Sequence, residues 1–369
     1  MRIGLASVDF FPNVGGVAAH VAELGRALVR QGHQVDVFTV PRSGHRDEFS
    51  TLDGMTVYRP RVLNRKPFYS WMMARWLRRF LAEHPLDVLH VHGLRPLEAS
   101  RVANIPVVFT NHTSGFLKRV ESGKLERARL LKRLQHVQHV IAPSPERVEA
   151  VRQVGYSGPV QFIANGVDPQ AFSPGEAPLP GGIVAGDDET VVLFPARMVE
   201  VKGVLVFAEA VAKLKSQKSR FIVAGDGPLK GEVERIVRAG GAGGRVHFLG
   251  RVSADQMPDL YRSADFSILP SFMEATSIAA LESMATARPV IASRVGGLVT
   301  LIREGETGLL VEPGDADGLA AAIDRLTADA ALRNEMGATA RTIAAEQYSW
   351  TRIAEQTVQV YSQLARRAA

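Results

Sequence analysis

Two glutamates separated by seven residues are the first candidates for chemistry in this chain. Glu274 and Glu282 lie in PSFMEATSIAALESMATARPVIAS, residues 270–293. Glu274 falls in the loop after a predicted strand, FSILP, and Glu282 falls on the helix predicted to follow it. Carboxylates accept hydrogen bonds from hydroxyl groups, so the first can bind a sugar and the second, two turns later, a ribose. This spacing is common by chance, but the strand–loop–helix context and the paired glycines of RPVIASRVGG favour a ligand site.

A second candidate site contains two cations in the segment ARMVEVKGV. Arg197 and Lys202 follow the predicted strand TVVLFPAR and precede the predicted helix GVLVFAEAVAKLKS. Two cations beside a helix N-terminus can neutralise a diphosphate without a metal ion. A solvated surface loop would contain the same residues, so both interpretations stay open for this pair.

Further candidates lie at predicted strand ends in the first half of the chain. Gly15 and Gly16, in FPNVGGV, open a helix whose free N–H groups suit a phosphate, although GxGxxG is absent and a simple turn is as common. His112, in TNHTSG, ends a strand that would face a cleft, whereas a lone histidine is more often structural. His90 and His92 share one strand face, but without a carboxylate at ligand spacing they do not predict a metal site.

The elements that would position these residues alternate between strand and helix along the whole chain. RIGLAS and QVDVFTV are strand patterns, and the helix pattern GGVAAHVAELGRALVRQG lies between them. A second series begins at TVVLFPAR, after a stretch at 168–188 that is rich in proline and glycine and is typical of a linker. The pattern predicts an α/β protein with two doubly wound domains, residues 1–168 and 169–349, and an interdomain cleft at the carboxyl ends of the strands.

Composition restricts the class of protein. The 369 residues suffice for two domains, and 46% hydrophobic with 22% charged residues is typical of a globular protein with a full core. No window approaches the ~18 consecutive apolar residues of a membrane-spanning helix, and the N-terminus lacks the pattern of a signal peptide. The absence of cysteine excludes disulfides, thiolate metal sites and a cysteine nucleophile. We therefore predict a cytoplasmic enzyme or binding protein.

The basic charge is confined to the first half of the chain. Residues 1–168 contain 23 Lys and Arg against 14 Asp and Glu, whereas the remainder contains 21 against 24. Such asymmetry predicts an anionic partner, and without a recognised binding motif a nucleic acid is not expected.

One basic segment suggests a membrane surface as that partner. FYSWMMARWLRRFLAEH, residues 68–84, is predicted to be a helix with Arg75, Arg78 and Arg79 on one side and apolar side chains on another. The pattern fits either an interfacial helix at an anionic membrane or a helix that covers the core. The first interpretation predicts a lipid-linked or membrane-proximal acceptor and peripheral binding to the inner face of the membrane.

The motifs together resemble one known family. FPNVGGVAAHVAELGRALVRQGHQVDVFT, DVLHVHG, IANGVD, PARMVEVKGV, VAGDGPL, the two glutamates, RPVIASRVGG and GETGLLVEPGD are similar, in order, to the retaining GT-B glycosyltransferases of family four, glycosyl transferases group 1. The resemblance covers nearly the whole chain. It implies a GT-B fold and transfer of a sugar, in most cases a hexose, from a nucleotide-diphosphate sugar without metal or cofactor. It also implies that the last helix, about 350–369, packs back on the first, acceptor-binding domain.

The resemblance also implies a role for each candidate residue. It assigns the donor sugar hydroxyls to Glu274, the ribose to Glu282, the diphosphate to Arg197 and Lys202, the phosphates or acceptor to Gly15 and Gly16, and the reaction centre to His112. Where the family commonly has Glu-Gly-Phe-Gly, this chain has Glu274 followed by Ala275, Thr276 and Ser277. We therefore expect these three residues to line a donor pocket of different shape.

Alternative functions remain open from the sequence. A nucleotide-sugar 2-epimerase of the same fold would also bind a diphosphate, and the altered loop suggests a non-catalytic nucleotide-sugar binder. The paired glutamates favour transfer, in the synthesis of a glycan, lipopolysaccharide or glycolipid. The sequence does not specify the nucleotide base, the sugar, the acceptor or the oligomeric state.

Overall fold

The chain folds into two compact α/β units. The computed structural model describes residues 1–11, 15–40, 48–63, 65, 68–112, 114–186 and 188–368. The first unit contains Met1–Gly166 together with the C-terminal helix, and the second contains Val167–Ser349. The division thus lies two residues before the predicted boundary at 168.

The first unit contains an eight-stranded sheet with the order β3-β4-β2-β1-β5-β6-β7-β8. Its strands are β1 (Arg2–Ser7), β2 (Gln34–Phe38), β3 (Glu48–Leu52), β4 (Met55–Arg59), β5 (Val88–His92), β6 (Val107–Thr110), β7 (His139–Ala142) and β8 (Val160–Phe162). Its helices before the division are α1 (Gly16–Arg30), α2 (Phe68–Glu83), α3 (Leu94–Ala99), α4 (Ser114–Glu121), α5 (Lys124–Leu134) and α6 (Pro145–Gln153).

The predicted parallel arrangement holds for all of this sheet except one edge. The central strand β5 is buried along its whole length, as expected for a parallel strand covered by helices on both faces. At the edge, β3 and β4 form an antiparallel hairpin, because Asp53 and Gly54 adopt the positive φ angles of 50° and 81° that a two-residue turn requires.

The second unit contains a six-stranded parallel sheet with the order β11-β10-β9-β12-β13-β14. Its strands are β9 (Thr190–Pro195), β10 (Ser219–Ala224), β11 (Val246–Gly250), β12 (Phe266–Leu269), β13 (Val290–Ser293) and β14 (Gly308–Val311). Its helices are α7 (Val204–Lys213), α8 (Lys230–Ala239), α9 (Met257–Arg262), α10 (Ile278–Ala285), α11 (Leu298–Leu301), α12 (Ala316–Ala328) and α13 (Ala330–Gln347). All the strand pairings place the carboxyl ends at one edge.

The C-terminal helix α14 (Trp350–Ala368) belongs to the first unit. Tyr361 is fully buried, and its hydroxyl lies 2.6 Å from Nδ1 of His90 on β5. Trp350 packs edge-on against the ring of His20, with 5.3 Å between the ring centroids. The helix therefore contributes an aromatic wall and a hydroxyl partner to the histidines at the end of β5.

The segment predicted as a linker packs on the second unit. It has little regular secondary structure, but the ring of Phe172 packs on Tyr261 with 5.9 Å between the centroids. Arg341 donates from Nη1 to the carbonyl oxygen of Phe172 at 3.0 Å, and Arg262 donates to that of Ala171 at 3.3 Å. Buried aromatic surface and hydrogen-bonded carbonyl groups hold the segment against the second unit.

Helix α2 covers the core, as one of the two interpretations of its sequence predicts. Tyr69, Met73, Leu77 and Phe80 are buried, as expected for a helix that covers the core. Trp71 is 67% exposed on the opposite face, which also carries the exposed arginines of this helix. Within the described residues, no helix is both long and apolar enough to span a membrane.

Candidate functional site

The structure brings two of the predicted residues of the second unit into direct contact. Lys202 ends a short 3-10 turn, Glu200–Lys202, after β9, and Glu274 lies in the loop between β12 and α10. The Lys202 Nζ donates to both carboxylate oxygens of Glu274, at 2.7 and 3.0 Å. The two side chains are 23% and 16% exposed, so the pair is partly shielded from water but open to a ligand.

Two glycines make this contact possible through the backbone. Gly203 has a φ of 65°, and a Cβ there would lie 1.8 Å from the carbonyl oxygen of Pro270 at the end of β12. Gly297 donates its N–H to the carbonyl oxygen of Glu274 at 3.1 Å, and its Cβ would lie 2.5 Å from the carbonyl oxygen of Ala275. Both positions therefore require glycine, and together they hold the loop of Glu274 against its neighbours.

Arg197 lies near the same sheet edge but does not join the pair. It follows the end of β9 by two residues, and its side chain is exposed. Across the described parts of the chain, Arg197 forms no ion pair. Its charge is therefore not neutralised by a carboxylate of the described residues.

The residues that follow Glu274 build the start of α10. Ser277 is the N-cap, and its hydroxyl accepts a hydrogen bond from the N–H of Ala280 at 3.4 Å. Thr276 is 4% exposed and Ser277 is 3% exposed, whereas Ala275 is half-buried. The side chain of Ser277 thus has a structural partner, which leaves Ala275 as the most accessible of the three predicted donor contacts.

Glu282 lies half-buried on α10 beside the fully buried Tyr261. The Tyr261 hydroxyl donates to the carbonyl oxygen of Ala279 at 3.1 Å. Burial, the charge of Glu282 and a hydrogen bond to its carboxylate hold the pKa of Tyr261 well above its ordinary value, so the tyrosine stays a neutral donor. Tyr261 is thus a buried neighbour of Glu282 that the sequence alone did not single out.

The structure describes part of the predicted glycine loop FPNVGGV of the first unit. Residues 12–14 lie outside the described residues, as does Thr113 of the predicted histidine loop. Gly15 is the N-cap of α1 and Gly16 its first residue, and both are exposed. A Cβ at either position would meet no described atom within 4 Å, so the fold itself leaves open space beside the helix N-terminus.

His112 lies in a cluster of imidazoles at the carboxyl ends of β5 and β6. Its Nε2 is 2.9 Å from Nδ1 of His92, and the two rings stack with 5.2 Å between centroids. The ring of His20, from α1, lies 4.4 Å from that of His112. The ring of His90 lies 4.1 Å from that of His92, tilted by 38°, and Nε2 of His90 is 2.6 Å from the hydroxyl oxygen of Thr110.

Burial keeps this cluster uncharged. Desolvation lowers the pKa of His20 to about 4, against the opposing effect of its hydrogen bond to Asn165. Burial, followed by the charges of neighbouring histidines, lowers the pKa of His90, His92 and His112 well below the ordinary value. Neutral imidazoles are both hydrogen-bond donors and acceptors, so the cluster can hydrogen-bond a ligand without carrying charge.

His20 was missed in the sequence, although a signal was present. It is buried one turn into α1, immediately after Gly15 and Gly16, in a helix face that otherwise buries apolar residues. A buried polar side chain at the start of a helix that faces strand ends is a candidate for function.

Comparison with known proteins covers both units. Residues 14–171 match the family described as Glycosyltransferase Family 4, and residues 189–329 match Glycosyl transferases group 1. A glycosyltransferase of Methanocaldococcus jannaschii, MJ1607, is 31% identical over 98% of each chain. The D-inositol 3-phosphate glycosyltransferase of Pseudarthrobacter chlorophenolicus is 30% identical over 98% of this chain and 94% of its own.

Solved structures agree on the architecture. Sucrose-phosphate synthase from Thermosynechococcus elongatus has a TM-score of 0.85 and 27% identity over 99% of both chains. Anabaena Alr3699/HepE, in complex with UDP and glucose, has a TM-score of 0.76 at 20% identity and covers 99% of this chain and 100% of its own. The two doubly wound units and their strand-end sites thus define a GT-B glycosyltransferase, and the predicted fold is confirmed. The chain belongs to glycosyltransferase family 4, the glycosyl transferases group 1.

Proposed function

We propose that the protein transfers a sugar, with retention of anomeric configuration, from a nucleoside diphosphate sugar to an acceptor without a metal ion. The observation that carries this proposal is the half-buried Lys202–Glu274 pair at the carboxyl edge of the second sheet. It combines a cation suited to a phosphate with a carboxylate suited to sugar hydroxyls.

The second unit would bind the donor. Lys202 and Arg197 would bind the diphosphate, Glu274 the hydroxyls of the transferred sugar, and Glu282, beside Tyr261, the ribose. The Anabaena structure, which contains UDP and glucose, supports a nucleotide-sugar donor. In the part of the chain that the structure describes, the only group of three possible metal ligands consists of histidines of the first unit. Lys202 and Arg197 would therefore stabilise the negative charge of the leaving diphosphate.

The reaction breaks the bond between the anomeric carbon and the phosphate oxygen and forms one between that carbon and the acceptor oxygen on the same face. The acceptor proton passes to the departing diphosphate. Negative charge grows on the leaving group in the transition state, and fixed cations stabilise it where it develops. His112, neutral and half-buried beside His92, would contact the transferred sugar as a hydrogen-bond partner.

The first unit would bind the acceptor, beside the open space at Gly15 and Gly16. Its surface also suits an anionic membrane, which would place the protein on the cytoplasmic face. Trp71, Arg75, Arg79 and Arg61 line one groove on α2 and the preceding loop, and Trp71 is 67% exposed. Cations near an anionic leaflet contribute about 1 kcal/mol each. A lipid-linked or membrane-proximal acceptor would then lie close to the site.

Vesicle co-sedimentation tests the membrane surface. Binding to anionic but not neutral vesicles at low salt is expected, and it should disappear when Arg75, Arg78 and Arg79 are replaced by Glu. The matched control replaces Lys230, Arg235 and Arg238 on α8 with Glu, which changes the charge equally in the second unit. If both variants lose vesicle binding equally, or if the wild type does not bind vesicles, α2 serves only to cover the core.

Two assays test the reaction itself. A thermal-shift screen of UDP-, GDP- and ADP-sugars should identify one donor that stabilises the fold. With that donor, release of nucleoside diphosphate should require an acceptor, and D-inositol 3-phosphate is the first soluble one to assay because it gives a full-length relative its name. NMR of the product should show the donor's anomeric configuration, and a chelator should leave the rate unchanged. Inversion, or activity restored only by Mg²⁺ or Mn²⁺, would contradict the mechanism, and donor isomerisation would identify an epimerase.

A further inference from the structure

Three histidines of the first unit converge from three separate elements. His20 lies on α1, His92 is the last residue of β5, and His112 follows the end of β6 by two residues. One ring nitrogen from each lies within 4.8 Å of those of the other two. The sequence interpretation considered only His90 and His92, and dismissed them because no further ligand was in view.

The hydrogen bonds of the cluster leave lone pairs inside it. His20 Nδ1 is 2.8 Å from Oδ1 of Asn165, an acceptor, so Nδ1 carries the hydrogen and Nε2 keeps a lone pair. This is how metal-binding histidines are oriented, with the other ring nitrogen donating to an oxygen. His92 Nδ1 and His112 Nε2 share one proton, so only one of these two rings keeps a free lone pair, and an ion bound by both would replace this hydrogen bond. The Nε2 of His92 is buried with no hydrogen-bond partner among the described atoms. A buried nitrogen without a partner is costly, and a ligand in the cluster would relieve that cost.

The chemistry of the ligand set selects the ion. The group consists of three imidazoles and contains no carboxylate. Neutral imidazole nitrogens suit Zn²⁺, which accepts three histidines and leaves a fourth position open, whereas Mg²⁺ and Ca²⁺ prefer oxygen. The buried Arg147 is 3% exposed, and its positive charge acts on His112. Because it also repels a metal cation, it lowers the affinity of the cluster for Zn²⁺.

We propose that His20, His92 and His112 form a Zn²⁺ site, and that its occupancy inhibits the enzyme by engaging the imidazole of His112. The binding stands on the cluster alone, and the inhibition rests on the proposed role of His112 in transfer. The ion is thus an inhibitor of the reaction and takes no part in it.

Metal binding is measured on the full chain without an affinity tag. Co²⁺ serves as the spectroscopic probe, because the chain has no cysteine whose thiolate would contribute to the spectrum. One Co²⁺ per chain is expected, displaced by one Zn²⁺. X-ray absorption of the Zn²⁺-loaded protein should show imidazole nitrogens at about 2.0–2.1 Å. An X-ray absorption spectrum that shows only oxygen ligands would contradict the proposed site, whatever the affinities of the variants.

Three variants give graded and opposite results. His20→Gln should weaken Zn²⁺ binding at least about 10-fold, whereas Asn165→Asp should strengthen it, since a carboxylate partner raises the basicity of a ligating histidine. His84→Gln, a histidine of α2's end outside the cluster, should change nothing. Equal affinity in all three variants would overturn the proposal, and the gain in Asn165→Asp separates it from a loss of folding. Zn²⁺ binding without inhibition of an active enzyme would instead contradict the role of His112.

Discussion

The carboxyl ends of the two sheets carry opposite kinds of chemistry. In the first unit the strand ends carry His92 and His112, which are neutral because they are buried against one another and against His20. In the second unit the corresponding edge carries Lys202 and Glu274, which bear full opposite charges at 2.7 Å and remain partly exposed. The same architecture therefore builds one uncharged and one charged site.

This difference fits what each site is proposed to bind. A diphosphate is a polyanion, and it binds where cations can replace its water. A sugar hydroxyl is neutral, and neutral imidazoles can donate to it or accept from it without a large electrostatic cost.

The largest expected effect is that of Glu274→Gln. Loss of a charge that acts on the transferred sugar should lower kcat by about 10²–10³-fold, while the affinity for the nucleoside diphosphate changes little. Steady-state kinetics and calorimetric titration of the diphosphate separate the two quantities. Glu200→Gln, in the exposed loop beside Lys202, is the matched control and should retain activity. If diphosphate affinity falls as far as kcat does, Glu274 acts on the nucleotide and the assignment is wrong.

Glu282→Ala should instead weaken the nucleotide itself, by about 1–3 kcal/mol for the loss of a charged hydrogen bond. Tyr261→Phe removes the hydroxyl that donates to the carbonyl oxygen of Ala279 beside this carboxylate, and it should cost less in the same measurement. Titration calorimetry with the nucleoside diphosphate gives both values. A larger loss in Tyr261→Phe than in Glu282→Ala would show that the tyrosine supports the fold of α10 instead.

The neutral cluster predicts a dependence of stability on pH. His20 has a folded pKa of about 4 against 6.5 in the unfolded chain, so between these values the unfolded state binds more protons. The free energy of unfolding is therefore highest above pH 6.5 and falls as the pH drops toward 4, by about 1.4 kcal/mol per pH unit for each such histidine. Urea unfolding of the wild type and of His20→Gln at several pH values measures how steeply the free energy of unfolding changes with pH. Between pH 4 and 6.5 the slope in the variant should correspond to one bound proton fewer than in the wild type. An unchanged slope would mean that His20 is charged in the folded state.

The smallest expected effect on stability is that of Gly16→Ala. Its Cβ would meet no described atom within 4 Å, so the variant should unfold at the same denaturant concentration or slightly higher. Transfer should nevertheless slow, because the methyl group occupies space where a ligand approaches the helix N-terminus. Normal kinetics in this variant would show that the helix start serves only as a turn.

The sequence predicted the elements and the local context of the sites, but not the contacts between them. Alternating strands and helices and the loops around Lys202 and Glu274 are encoded by neighbouring residues. The pairing of Lys202 with Glu274 depends on β12 lying beside β9, although β10 and β11 come between them in the chain. His20 was overlooked because its partners lie on β5 and after β6, and Phe172 because a single buried aromatic is hidden in a proline-rich segment.

The central claim, that the charged edge binds the donor and the neutral edge acts in transfer, is tested most directly by one titration series. The nucleoside diphosphate chosen by the thermal-shift screen is titrated into wild type, Lys202→Met and His112→Gln, and kcat is measured on the same preparations. We predict that Lys202→Met weakens the diphosphate by about 1.5–3 kcal/mol. His112→Gln should bind it like wild type and lose most of its turnover. Diphosphate binding that depends on His112 and not on Lys202 would contradict the account.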